Sequence, residues 1–158
     1  MEAIIKKIEQ QEEKLVLEHF DNLDAWKLGN ELVKIGLEEK LPIAISIRKT
    51  SGQTLFEYAC PGTTIDNCDW MRRKFNTVLQ TERSTLHLWA KVEAEGDATN
   101  KSHVWFTHEE DYVICGGGFP IVVKGVGMVA VALVSGLPHE EDHAVLVRGF
   151  EKFAGIEE

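Results

Sequence analysis

Residues 116–134 read Gly116-Gly117-Gly118-Phe119-Pro120-Ile121-Val122-Val123-Lys124-Gly125-Val126-Gly127-Met128-Val129-Ala130-Val131-Ala132-Leu133-Val134. Residues 119–124 and 128–134 have the composition of strands, and the glycines at 125 and 127 supply a turn between them. The second run is apolar on both faces, which places it centrally in a sheet covered on two sides.

Upstream, Ile43, Ile45 and Ile47 alternate with Ala44, Ser46 and Arg48 as a strand does, and residues 54–59 read as the antiparallel return after Ser51-Gly52. Residues 15–20 read as a short strand or as a continuation of the helix at 2–14. That first helix has only the narrow stripe Ile4, Ile5 and Ile8, so it needs a neighbour, another subunit being one choice. Asp21, Asn22 and Asp24 offer caps for a helix to about residue 40, with Ala25, Leu28, Leu32 and Ile35 at core spacing. Asp66 or Asn67 caps a helix whose buried face is Met71, Phe75, Val78 and Leu79; Ser84-Thr85 begins a shorter one. Residues 95–102 read as a loop. A final helix over 139–154 sets Leu146, Phe150 and Phe153 against the core. No internal repeat or linker interrupts the chain, so residues 1–158 are expected to form one domain.

A formal charge of -9 argues against affinity for nucleic acid or anionic membranes, whose binding is dominated by phosphate neutralisation. No apolar run reaches the length of a membrane span, and residues 1–7 lack the apolar core of a signal peptide, so the expected location is the cytoplasm. Cys60, Cys68 and Cys115 form no Cys-x-x-Cys pair and no even set, which points to reduced thiols. Arg72-Arg73-Lys74 is the one basic run. Three consecutive helical residues fan around the axis, so its plain reading is a solvated flank.

His139-Glu140-Glu141-Asp142-His143 has the His-Glu-x-x-His spacing of a zinc peptidase, in which histidines at i and i+4 share the metal and the glutamate is general base. A catalytic zinc needs a third protein ligand. The carboxylates left are Glu151, Glu157 and Glu158, the last two in a terminal tail, so this reading ranks last and no metal or catalytic residue is assigned. The same residues serve as helix-start chemistry: Pro138 suits a first turn, and Glu140, Glu141 and Asp142 face the positive end of the dipole.

Asp69-Trp70-Met71-Arg72-Arg73-Lys74, the turn Tyr112-x-x-x-Gly116-Gly117-Gly118-Phe119-Pro120, and Ser135-Gly136-Leu137-Pro138-His139-Glu140-Glu141-Asp142-His143 resemble the signature blocks of uncharacterised protein family 0303. That family lies within the heme-degrading-domain superfamily of GlcG/HbpS-like proteins. The resemblance implies a profilin-like α+β fold, an antiparallel sheet of about five strands with helices around it, and a homo-oligomer. It also implies a binding protein more than an enzyme, with heme or a related carboxylated small molecule as the ligand class. An adapter oligomer that binds another protein is the alternative.

Eight residues stand out as ligand contacts. Trp70 could stack on such a ligand while Arg73 and Lys74 pair with its carboxylates. Gly116, Gly117 and Gly118 let backbone approach a ligand closely and could offer it N–H groups. His139 and His143 share a helical stripe that could border a pocket and ligate iron or zinc, for which capping and oligomer contacts are the simpler explanation. Cys60-Pro61 has the form of a heme-responsive dipeptide, for which a turn is the simpler explanation.

Overall fold

The computed structural model describes residues 1–95, 108 and 110–156, so the loop expected at 95–102 falls almost wholly outside them. The helices are α1 (Glu2–Lys14), α2 (Asn22–Glu38), α3 (Ile65–Thr81), α4 (Thr85–Glu95) and α5 (His139–Ala154). The strands β1 (Ala44–Lys49), β2 (Thr54–Ala59), β3 (Gly118–Val123) and β4 (Gly127–Ser135) form one antiparallel sheet in the order β2-β1-β4-β3.

The α+β class is as expected, while the sheet has four strands among the described residues and not five. Residues 15–20, read as a short strand or a continuation of the first helix, make a single bridge, Leu17 to Val123, with Leu17 N–H donating to the Val122 carbonyl at 2.9 Å. Leu15 still caps α1 and Asp21 already caps α2, so too few residues lie between to build a ladder.

The apolar 128–134 run lies between β1 and β3, and its two faces enter two cores. Ala130, Ala132 and Val134 pack with Leu28, Leu32, Leu146 and Phe150 of α2 and α5, whereas Val131 and Leu133 pack with Met71, Phe75 and Val78 of α3. Its cover is therefore intramolecular. So is that of α1, whose Ile8 packs on Leu86 and Ala90 of α4. Phe153, expected in the core, is only half buried at its margin.

Helix starts follow side-chain capping. Asp21 accepts from Asp24 N–H while the Asp24 carboxylate accepts from Asp21 N–H, both at 2.9 Å. For α3 the cap is Thr64, upstream of the residues expected: its hydroxyl accepts from Asp66 N–H, and Asn67 Oδ1 accepts from Thr64 N–H at 2.9 Å. Asn67 has the right chemistry but sits inside the helix as the reciprocal partner. Thr64→Ala should lower stability by about 1 kcal/mol in urea titration. A loss under a few tenths would show that this cap contributes little.

Candidate functional site

Three segments meet around a cavity of about 450 Å³ lined by residues that include Asp66, Trp70, Lys74, Cys115, His139 and Asp142. From α3, Asp66, Trp70 and Lys74 project at i, i+4 and i+8, the spacing that keeps side chains on one face. The 113–118 segment arrives from the side, and the N-terminus of α5 closes the end. A larger hollow of about 630 Å³ near the ends of α1 and α5 is lined by alternating charges, among them Lys14, Glu18, Lys27 and Glu31. The larger hollow also holds His19 and Phe153, but the smaller cavity joins a tryptophan and a histidine to a fully buried ion pair, and is therefore the candidate site.

The basic run on α3 is not a solvated flank, because its three residues do three different jobs. Arg72 latches the neighbouring segment, donating to Asp111 Oδ1 at 3.0 Å and to the Glu110 carbonyl at 2.6 Å. Arg73 lies over the Trp70 ring at 4.2 Å and pairs with Asp69 at 3.2 Å. Lys74 is fully buried, its ammonium donating to Asp142 Oδ2 at 3.1 Å and to the Val134 carbonyl at 2.9 Å. Sequence spacing alone cannot show a lysine paired with a carboxylate 68 residues away.

Asp142 is the residue that the reading by sequence undervalued as a helix-dipole charge. Its Oδ1 accepts from Leu137 N–H at 2.9 Å while Oδ2 holds Lys74. One carboxylate thereby fixes the 136–138 turn to α3 and β4. Burial pushes this carboxyl above its ordinary value, and the Lys74 ammonium and the Leu137 N–H pull it back down.

The glycine triplet is spent on packing against this pair. Gly117 has φ +121°, and a Cβ there would stand 2.4 Å from Lys74 Nζ and from the Val134 carbonyl oxygen. A Cβ on Gly116 would stand 2.4 Å from the His139 carbonyl oxygen. Gly118 N–H donates to Thr85 Oγ1 at 2.9 Å, and Gly116 N–H donates to His139 Nδ1 at 2.9 Å. Two of the backbone donors proposed for a ligand are thus already engaged.

The Gly116 bond also sets the chemistry of His139. A backbone N–H can only donate, so Nδ1 presents its lone pair there and the ring proton sits on Nε2. His139 offers the cavity a hydrogen-bond donor, with no acceptor for Nε2 among the described residues. Its ring also forms a T-shaped pair with that of Trp89, the centroids 4.8 Å apart.

His143 faces elsewhere. It lines a separate cavity of about 230 Å³ with Ile4, Ile8, Gln11 and Trp89, and its Nε2 lies 2.8 Å from Gln11 Oε1. Its Nδ1 is buried without a hydrogen-bond partner. Burial, reinforced by Lys7 and His139, lowers its pKa to about 4. The two histidines of the His-Glu-x-x-His motif therefore line different cavities, each with one ring nitrogen engaged, and no metal-holding cluster of three occurs among the described residues. Glu157 and Glu158 lie outside them.

Cys115 lines the site, with its thiol pushed up chiefly by burial. Cys60 does not reach it: it is buried at the end of β2 against Gly36, and burial raises its thiol too. Asp66, Asn67 and Ser135 were also missed as lining residues. Asn67 donates to the Ser135 carbonyl at 3.4 Å, tying the first turn of α3 to the end of β4.

Comparison with known proteins agrees with this architecture. The profile of the haem degrading protein HbpS-like family matches residues 20–151. A UPF0303 protein of Streptomyces coelicolor is 38% identical over 151 residues, covering 96% of this chain and 94% of its own. Among solved structures, the Ybr137w protein superposes with a TM-score of 0.84 at 27% identity, covering 96% of this chain and 87% of that one. The PduOC:heme complex superposes with a TM-score of 0.68 at 17% identity, covering 83% and 92%, a likeness of fold alone. The profile match and the full-length relatives together show that this chain belongs to the HbpS-like family, alongside the UPF0303 proteins.

Proposed function

We propose that residues 1–158 act as one domain, self-associated, that binds a small molecule in the cavity between α3, the 113–118 segment and the start of α5. Heme or a related carboxylated compound is the ligand class favoured by family membership. The observation that carries the reading is the convergence of Trp70, His139 and the buried Lys74–Asp142 pair on one cavity of about 450 Å³, within the roughly 300–1,000 Å³ common for such sites.

The donor set fits the periphery of a tetrapyrrole better than its metal. Trp70 offers a face for stacking, and His139 Nε2–H offers a donor to a carboxylate. Iron would need a lone pair on Nε2, which carries the proton while Gly116 bonds Nδ1. Cys115 is a poor thiolate because burial raises it, and Lys74 is neutralised by Asp142. In this reading the chain supplies stacking, hydrogen bonding and exclusion of water, and no iron ligand from His139 or Cys115.

Titration with heme, followed by its Soret band, tests the proposal. Saturable binding is expected, weakened about tenfold or more in Trp70→Ala and in His139→Ala and unchanged in Cys60→Ala. Uptake that never saturates, or that ignores both site variants, would remove heme from this cavity.

A further inference from the structure

α2 carries a second apolar stripe, of which only Val33 packs against the core. Leu23, Trp26 and Leu37 are 59%, 58% and 48% exposed. With Asn30 and half-buried Val33 they recur at spacings of three, four, three and four residues, one line down a helix. The stripe reads the same in both directions: two apolar residues, Asn30, two apolar residues. That palindrome suits a two-fold partner, since an antiparallel copy sets Leu23 against Leu37, Trp26 against Val33 and Asn30 against itself.

Its direction is fixed by the rest of α2. Leu32 meets Gly149 of α5, while Gly29 and Gly36 rest on Phe56 and Cys60 at the sheet's end. The stripe lies about a quarter turn beyond Gly29 and Gly36, on the side away from α5, so it overhangs the outer edge of β2.

That edge is open. β3, the other end strand, is covered by Leu17, which accepts from Lys124 N–H and donates to the Val122 carbonyl. Nothing does the same for β2 among the described residues. Cys60 N–H donates to the Ile43 carbonyl, so the alternation of an antiparallel ladder turns the N–H and C=O groups of Glu57 and Ala59 outward. An exposed strand edge is a template for another strand. The Phe56 ring against Gly29 sets the middle of β2 beside the middle of the stripe, so one axis can serve both. Area points the same way. The 17 residues of α2 span about 25 Å, too little alone for the roughly 800 Å² per partner of a specific interface, and the β2 edge extends it.

We propose that α2 and the outer edge of β2 form a two-fold interface with a second copy of this chain, β2 pairing antiparallel with its counterpart and the α2 stripes packing beside that pairing. The proposal names the surface for the self-association stated above and is independent of the ligand cavity. Light scattering on the full chain, with amide hydrogen exchange at Glu57 and Ala59, tests it. The wild type should form an oligomer with both amides protected. Trp26→Glu, at an exposed position that leaves the core intact, should reduce the mass twofold or more and release both amides. Leu37→Lys should act the same way. Ile65→Glu, at an 83% exposed apolar residue outside the stripe, should change neither. An oligomer whose mass ignores Trp26→Glu and Leu37→Lys would leave self-association standing and overturn this interface. So would freely exchanging amides in the wild-type oligomer, whereas a wild-type monomer overturns both readings.

Discussion

Asp142→Ala should lower stability by about 3–5 kcal/mol, a large part of what a domain of this size possesses. The substitution leaves the Lys74 ammonium buried beside a carbonyl with no counter-ion, and it removes the acceptor of Leu137 N–H. Lys74→Ala should cost a similar amount by the converse route. Because the two residues share one interaction, the double variant Lys74→Met, Asp142→Leu should lose clearly less than the sum of the single losses. Urea denaturation of the three variants measures this. Additive losses would mean that the two side chains act separately and that the pair is not the tie between α3, β4 and the 136–138 turn.

The second large effect is on pH dependence, through His143. Its folded pKa of about 4 lies below the ordinary 6.5, so the unfolded chain takes up the proton more readily. Stability from this residue is therefore fully present above about pH 6.5 and is lost as pH falls toward 4. The size is about 3 kcal/mol across that window. Glu39, lowered by its bond to Arg148, and Asp21, lowered by Asp24 N–H, weaken the fold in acid as well. The informative quantity is thus the difference between wild type and His143→Gln. That difference should shrink by about 3 kcal/mol between pH 7 and pH 4 in denaturation experiments. Parallel curves for the two proteins would show that burial of this imidazole does not control the acid response.

The two effects divide the residues of one short motif. Asp142 acts through a charge partner and His143 through the absence of one, although they are adjacent in the chain. Helical geometry explains the difference, since neighbours on a helix point about 100° apart and meet different surroundings. The motif Pro138-His139-Glu140-Glu141-Asp142-His143 is thus a helix start. Its first histidine and its aspartate line the cavity beside α3, and its last histidine lines the one beside α1.

Local chemistry made much of the fold legible in the sequence. The apolar 128–134 run could be satisfied only by a central strand covered on both faces, and β4 is that strand. Core spacing of Ala25, Leu28, Leu32 and Ile35 set α2, and Asp21 capped it, because periodicity and capping act within a few residues. The signature blocks, read as resemblance, indicated the family. Trp70, Lys74 and His139 could be named as candidates, but the carboxylate expected to pair with Lys74 proves to be the protein's own Asp142 and not a ligand's. Only tertiary structure buried Lys74, joined it to Asp142 and turned His139 so that Gly116 holds its Nδ1. It also reduced residues 15–20 to a single bridge and engaged the backbone donors of Gly116 and Gly118 within the protein. The physical reason is the range of the forces: helices, turns and strand faces follow from neighbours along the chain, whereas a buried charge, a histidine tautomer and an open sheet edge are decided by groups many residues away.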